Sequence, residues 1–464
     1  MVQRAVVAAN TGGKKYATPQ HNRFPGLCRE NHPGQMPHQV PTSHLKNKHP
    51  RLLLVAPHSS YRIASYLNAA QSLGVDVLIA STSEHSLVSA VAEGLRIDLT
   101  QPEHALDTLL AAANERPFTG VIATDDSAVE LAARIAEKLG LPHNPPDAVQ
   151  LTHRKDLARA RLAQHGVPVP GFTRIDLHAD LAAQAATLNY PCVIKPLNLS
   201  GSCGVIRANN IEQAIAAVQR IAAIIEKRCD EHERRYLLAE DYLPGIEVAL
   251  EGMLHNGKLQ VLALFDKPDP LEGPYFEESY YITPSRLTET QQTLIAQRVR
   301  EACAAYGLTH GPVHAELRLN THPHNDQPQA WILEVAARTI GGQCAQLLKQ
   351  GSGHGLEELV IAQAMGKPLP TQNTGDAAGV LMIPIPKAGI LRRVEGLTAA
   401  RKTPHILDVE IYVREGYELV PLPEGAAYLG FIFARAAKPE QVEAALREAH
   451  ARLDFVTAPV WKLS

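Results

Sequence analysis

The chain lacks the features that mark several specialised classes of protein. Its 464 residues include only six cysteines, none of them in a Cys-x-x-Cys pair, so a disulfide framework or a zinc site is not indicated. No apolar run approaches the 18 residues that a membrane-spanning helix needs. The formal net charge is only −3, which argues against nucleic acid as the main partner. These absences favour a cytoplasmic protein with neither membrane nor nucleic-acid partners.

Residues 1–50 have a single acidic residue and no apolar periodicity. They contain seven Lys or Arg against a single acid, Glu30, together with six prolines. Such a segment cannot bury enough apolar surface to fold alone, and we predict a disordered basic tail. A transit peptide is the alternative interpretation of the low acidity. The remaining chain has an ordinary globular composition and enough length for several domains.

Short apolar strands alternate with helices from Arg51 to about residue 148. RLLLVAP (51–57), VDVLIA (75–80) and GVIATDD (120–126) read as strands, and the stretches at 59–73 and 127–140 read as amphipathic helices. This alternation predicts an α/β domain with a parallel sheet. No Gly-x-Gly-x-x-Gly motif follows the first strand, so a dinucleotide-binding Rossmann site is not supported.

The pattern changes to a mixture of α/β and α+β after residue 148. Helices are predicted at about 154–165, 211–228, 288–305 and 439–452, and a strand–loop–strand unit at 190–208. Asn256-Gly257 between two alternating segments predicts a tight antiparallel hairpin. Two further strands, 311–320 and 329–338, flank a polar loop. The last 90 or so residues read as a small α+β unit.

The Gly/Ser-rich loop at 198–204, just after Lys195, is the first candidate site. Small residues let backbone N–H groups approach phosphate oxygens, and the lysine adds a positive charge. The loop is not a P-loop, because the lysine precedes the glycines. The alternative is a flexible hairpin loop beside a solvated lysine.

Two glutamates within apolar strands form the second candidate. Glu316 and Glu334 each need a partner if half-buried, and two carboxylates on adjacent strands suit a hard cation. Arg338 is four residues from Glu334, hence on the same face if the strand continues, so a Glu334–Arg338 ion pair is one alternative. A solvated face is the other. His314 shares the strand face of Glu316 and is a weaker candidate, whereas His310, His322 and His324 read as surface residues.

The ordered set of these residues resembles the ATP-grasp superfamily. The set comprises Lys155, Lys195 with its loop, Glu240 to Glu247, Glu316, and EVAAR (334–338). Within the superfamily, GPVHAELRL, ILEVAARTIGG and GPYFEESYYITPS look most like carboxylate–amine ligases of the L-amino-acid ligase and carnosine-synthase type. The resemblance covers about residues 51–464. It implies a parallel-sheet pre-ATP-grasp domain (51–148), an ATP-grasp domain (149–370) with a lid at about 168–240, and a C-terminal closing unit (371–464).

The resemblance also implies a nucleotide site. Lys155 and Lys195 would contact the phosphates of ATP, and Lys195 would take part in catalysis. Glu240 would bind the adenine amino group, with main chain at Tyr242 and Leu243 beside it, and Glu247 would hold the ribose hydroxyls. The residues that would close over the phosphates are Ser200, Gly201, Ser202 and Gly204.

Metal and substrate roles follow from the same resemblance. Glu316 and Glu334 would ligate Mg²⁺, or Mn²⁺ in its place. Arg338 would be catalytic and face the transferred phosphate, and Gly341 and Gly342 would let the substrate approach the backbone. Many members have Asn two residues after the second metal ligand, where this chain has Ala336. Water, phosphate or another side chain would have to fill that coordination position.

The reaction implied is ATP-dependent amide formation between a small carboxylate and an amine, through an acyl phosphate. ADP and phosphate would be released. Alternatives are an ATP-grasp carboxylase, a purine-pathway enzyme or a nucleotide-binding module without catalysis. A homodimer is an expectation drawn from the superfamily.

Overall fold

The computed structural model describes residues 49–58, 60–82, 93–229, 233–321, 328–371 and 375–460. The predicted tail therefore lies outside the described residues, except for its last two positions, as do His322 and His324. Residues 49–464 form one compact unit. Within the described ranges, no helix combines the length and apolar character needed to cross a membrane.

The first sheet along the described chain is parallel and has four strands. Their order is β3 (Glu93–Arg96), β2 (Asp76–Ser81), β1 (Arg51–Ala56) and β4 (Gly120–Ala123). The residues from Leu52 to Ala56 are fully buried, as expected for a strand covered by helices on both faces. The parallel α/β region that the sequence predicted is thus confirmed. Its elements are β1 (Arg51–Ala56), α1 (Ile63–Ser72), β2 (Asp76–Ser81), β3 (Glu93–Arg96), α2 (Pro102–Glu115), β4 (Gly120–Ala123) and α3 (Asp126–Lys138).

Two helices, α4 (Pro146–His153) and α5 (Lys155–Gln164), lead to a small antiparallel sheet of order β5-β8-β6-β7. The helix α7 packs its apolar stripe, which includes Ile221 and Ile225, on this sheet. Asn210 caps α7 by accepting a hydrogen bond from the Gln213 N–H. The elements are β5 (Phe172–Asp176), α6 (Leu181–Ala185), β6 (Cys192–Pro196), β7 (Ile206–Ala208), α7 (Ile211–Arg228) and β8 (Tyr236–Asp241).

The centre of the molecule contains the predicted hairpin. Its strands β9 and β10 pair up to the turn, where Asn256 and Gly257 have φ of 49° and 75°. Two successive positive φ angles define the type I′ turn that Asn-Gly favours. The helix α8 begins with a capping box between Thr288 and Gln291. The elements are β9 (Ile246–His255), β10 (Lys258–Lys267), β11 (Tyr280–Thr283), α8 (Glu289–Tyr306), β12 (Gly311–Thr321), β13 (Pro328–Ala336), α9 (Ala345–Ser352) and α10 (Leu356–Ala364).

The C-terminal elements extend the central sheet. Three of their strands, β14 (Ala377–Ile383), β16 (Ile406–Ile411) and β18 (Gly430–Ala436), join it, and the eight-stranded order is β13-β12-β9-β10-β11-β14-β18-β16. The predicted boundary at residue 370 therefore falls within a continuous sheet. The elements are β14 (Ala377–Ile383), β15 (Gly389–Glu395), α11 (Leu397–Arg401), β16 (Ile406–Ile411), β17 (Glu418–Leu419), β18 (Gly430–Ala436), α12 (Pro439–Ala451) and β19 (Asp454–Ala458).

Candidate active site

One cavity of about 220 Å³ gathers most of the predicted site residues. The small antiparallel sheet, the central sheet and the loops between them all contribute to its wall. The predicted residues that line it are Lys155, Lys195, Ser200, Gly201, Ser202, Glu240, Tyr242, Leu243, Glu247, Glu316, Glu334, Arg338, Gly341 and Gly342. Residues far apart in sequence thus meet at one place.

Gly204 differs from its expected position, because it is not among the lining residues. Its N–H donates to the Pro423 carbonyl at 2.9 Å. Its φ is 72°, and a Cβ there would lie 2.8 Å from Cγ of Pro196. Gly204 therefore serves the close packing of the loop against β6.

Lys195, which lines the cavity, belongs to a buried ion triad with Glu240 and Arg159. Glu240 accepts from Lys195 Nζ at 2.6 Å and pairs with Arg159 Nε at 2.8 Å. Lys195, Glu240 and Arg159 are only 7%, 4% and 1% exposed. Burial opposes the charge on Glu240, but the two cations outweigh it and lower the pKa of that carboxyl. Arg159 was missed by sequence reasoning, because an arginine within an amphipathic helix reads as a solvated residue.

A second buried cluster centres on Lys267. Its Nζ lies 2.9, 3.0 and 3.1 Å from carboxylate oxygens of Glu247, Glu278 and Glu316. These carboxylates raise the pKa of Lys267, although burial alone would lower it. Burial and the neighbouring Glu316 raise the pKa of Glu278 to about 7. Arg318 also contacts Glu247, with Nε 3.1 Å from Oε2. No sequence signal pointed to Lys267, since a lysine at a strand end usually faces solvent.

Glu316 and Glu334 are directly opposed on β12 and β13, as predicted for two carboxylates on adjacent strands. Each has an ammonium partner: Lys267 for Glu316, and Lys155 at 3.2 Å for Glu334. Oxygens of Glu247, Glu278 and Glu316 can lie within 4.8 Å of one another. Hard oxygen donors gathered this closely suit a divalent cation such as Mg²⁺, but such an ion would compete with Lys267, whose Nζ lies within 3.1 Å of all three carboxylates. Ala336 is buried and contributes no donor.

The structure corrects the prediction that Arg338 shares a strand face with Glu334. The strand β13 ends at Ala336, so the same-face argument from Glu334 does not extend to Arg338. The ion pair of Arg338 is with Asp126, through two bonds of 2.9 Å, rather than with Glu334. Both Glu334 and Arg338 nevertheless reach the same cavity. Asp126 was not predicted, because it comes from the first turn of α3, 212 residues earlier in the chain.

His314 lines the cavity, in line with its shared face with Glu316. Its Nε2 is 3.5 Å from Glu316 and its Nδ1 is 3.4 Å from Glu251, a fully buried carboxyl. Burial raises the pKa of Glu251. A network of ionisable side chains thus continues from the cavity into the core.

Family models match along most of the described chain. An ATP-grasp N-terminal domain matches residues 67–143, an ATP-grasp domain matches 188–346, and L-amino acid ligase C-terminal domain 2 matches 381–458. Together with the fold, these matches define the class: the chain contains an ATP-grasp N-terminal domain and an ATP-grasp domain, followed by a C-terminal domain of the L-amino acid ligase type. The resemblance to the carboxylate–amine ligase branch is confirmed by the third match.

Within that class, the chain is similar to L-amino acid ligases. The solved L-amino acid ligase from Bacillus licheniformis superposes with a TM-score of 0.73 at 27% identity, over 88% of this chain and 98% of that one. Alanine–anticapsin ligase from Bacillus subtilis is 23% identical over 56% of each chain. Carnosine synthase 1 from Gallus gallus is 27% identical over 71% of this chain but only 38% of its own length. The chain thus spans about half the length of alanine–anticapsin ligase and 38% of the length of carnosine synthase 1.

Proposed function

We propose that the protein is an ATP-dependent carboxylate–amine ligase that joins amino acids, or an amino acid and another small carboxylic acid. The supporting observation is a cavity lined by Lys155 and Lys195, by the opposed glutamates Glu316 and Glu334, and by Arg338. These are the groups that phosphoryl transfer to a carboxylate requires, since its catalysis is mainly positioning and charge stabilisation.

The nucleotide occupies the part of the cavity next to the small antiparallel sheet. Lys155 and Lys195 face the phosphates, and Ser200, Gly201 and Ser202 close over them. The main chain of Tyr242 and Leu243 lies beside the adenine. Glu240 Oε2 accepts from Lys195 and Oε1 lies 2.8 Å from Arg159 Nε, so we assign Glu240 the role of holding Lys195 in place instead of the adenine contact expected from the resemblance. Glu247 keeps its expected place beside the ribose, although its two oxygens already accept from Lys267 and Arg318, so a ribose hydroxyl would have to share them.

Reaction begins when a carboxylate oxygen of the first substrate attacks the γ-phosphorus of ATP and the bond to the β–γ bridging oxygen breaks, which releases ADP. Arg338 and Lys195 stabilise the charge on the transferred phosphoryl group. Mg²⁺ held by Glu316 and Glu334 would neutralise phosphate charge. The amine of the second substrate then attacks the acyl carbon, phosphate leaves, and the amine loses a proton. A closed loop at 198–204 excludes water from the acyl phosphate.

The substrate end of the cavity suits amino acids. It combines the cation Arg338 with the carboxyl of Glu278 and the side chains of Phe276, Tyr281 and Tyr428. A substrate that carries both a carboxylate and an ammonium complements this pairing of charges, and the aromatic rings favour a cation nearby. The relatives named alanine–anticapsin ligase and carnosine synthase support the same substrate class.

Phosphate release should test the function across many candidate substrates at once. We expect release of phosphate and ADP with pools of amino acids and Mg²⁺, and mass analysis should show products one water lighter than their two components. Hydroxylamine should trap the activated acyl group. Bicarbonate and ribosylamine substrates are the comparison arms. Stoichiometric AMP and pyrophosphate, or turnover with only the comparison substrates, would refute the proposal.

The loop at 198–204 should become protected when nucleotide binds. Ser200 and Gly201 are exposed and Ser202 is half-buried, so closure of these residues over the phosphates should slow their amide hydrogen exchange. The measurement is exchange with and without a non-hydrolysable ATP analogue. The hairpin turn at 256–257, which does not line the cavity, provides the internal control. Equal exchange of the loop in both states would contradict the closure.

A further inference from the structure

Asp126 fixes the guanidinium of Arg338 from another part of the fold. Arg338 Nε and one terminal nitrogen donate to the two carboxylate oxygens of Asp126, each at 2.9 Å. The other terminal nitrogen donates to the Thr339 carbonyl at 3.0 Å. Arginine has five N–H groups, so these three bonds leave one on each terminal nitrogen. Since Arg338 lines the cavity, these two are available to oxygens of a bound substrate.

Asp126 is itself held rigidly. It occupies the first turn of α3, where the helix dipole favours a carboxylate. The preceding turn is anchored by Arg62, which donates to the Thr124 carbonyl at 3.0 Å and to Asp125 at 2.8 Å. Thr124 is fully buried. The carboxylate of Asp126, which accepts from Arg338, is therefore held in a fixed position by the parallel-sheet part of the molecule.

Arg338 has less support from its own segment. It lies beyond the end of β13, and Gly341 and Gly342 follow it closely. A long side chain on such a segment loses considerable rotamer entropy when fixed, and the bidentate pair supplies that restraint. A second bond ties the same segment to the parallel-sheet part, because the Gly342 N–H donates to the Tyr61 hydroxyl at 3.1 Å.

We propose that Asp126 is a positioning residue that sets the orientation of Arg338 for phosphoryl transfer, so that the parallel-sheet part of the molecule completes the site. This inference rests on the proposed function. Asp126 acts through Arg338 and needs no contact with substrate. Its removal should therefore lower turnover without weakening the binding of ATP.

The test is a double-mutant cycle with Asp126→Asn and Arg338→Lys, in which asparagine keeps the shape of Asp126 but loses its charge. We expect Asp126→Asn to lower kcat about 10- to 100-fold, the size of effect expected from a small misplacement. The KM for ATP should change by less than about twofold. In the Arg338→Lys background, Asp126→Asn should lower kcat by a further factor of less than about two, because the effects of coupled residues are not additive. Asp107→Asn, at an exposed position on α2, is the matched control.

A second readout does not depend on turnover. The ¹⁵N–¹H signal of Arg338 Nε can be assigned by its loss in Arg338→Lys, and Asp126→Asn should shift or broaden it while the protein remains folded. If wild-type protein shows no ligase activity but this signal responds, the proposed function fails and the positioning contact stands. An unchanged signal, unchanged kcat, or equal losses in both backgrounds would overturn the inference.

Discussion

Replacing Glu334 by glutamine is expected to remove most of the turnover while the fold remains intact. An amide is a poor ligand for a hard cation, and the change also deprives Lys155 of the carboxylate that lies 3.2 Å from its Nζ. We expect kcat to fall by about 100-fold or more, given that loss of outer partners of metal ligands alone costs about 10–100-fold. Phosphate release measured over a range of Mg²⁺ concentrations should show the loss and a weaker apparent affinity for the metal.

Glu137→Gln is the matched control, since that residue is exposed on α3 and does not line the cavity. It should leave both turnover and the Mg²⁺ dependence unchanged. Near-normal turnover of Glu334→Gln, with the melting temperature preserved, would show that Glu334 does not ligate the metal.

Replacing Glu240 by glutamine is expected to cost more stability than any other conservative change at the site. It leaves Lys195 and Arg159 buried next to each other without their shared anion. Removal of one partner from a buried ion pair typically costs about 3–5 kcal/mol. Urea unfolding should show this loss. Because the folded-state pKa of Glu240 lies below its usual 4.5, the stabilisation is present above that pH and should fade as the pH falls.

Two further variants make the result specific. Glu226→Gln, at an exposed position on α7, removes an equal charge and should have little effect. Lys195→Met added to Glu240→Gln should restore part of the stability, because only one cation then lacks a partner. A loss below about 1 kcal/mol for Glu240→Gln, the size typical of exposed pairs, would show that the triad is effectively solvated.

Local chemistry explains which parts of the molecule were predictable. The Asn256-Gly257 turn, the apolar β1 strand and the start of α8 near residue 288 are determined by neighbouring residues, and all three appear as the sequence indicates. The candidate residues came from motif order, and the structure brings all of them except Gly204 to one cavity. Their roles remain predictions.

The partners of those residues could not be predicted in the same way. Arg159, Lys267 and Asp126 have charged side chains whose sequence surroundings suggest solvent, yet each pairs with a residue that is distant in the chain. Their positions depend on packing between elements, which periodicity and propensity do not encode. The end of β13 before Arg338 was missed for a related reason, because the apolar pattern continues past the last sheet pairing.

The continuous eight-stranded sheet limits how this chain can be divided or recombined with its relatives. A cut near residue 370 would separate β11 from β14 and expose hydrogen-bonding edges on both fragments, along with β14, all of whose residues are buried. Unpaired edges of this kind favour aggregation. Chimaeras that exchange the C-terminal segment would therefore need to carry the facing residues of β11 with it.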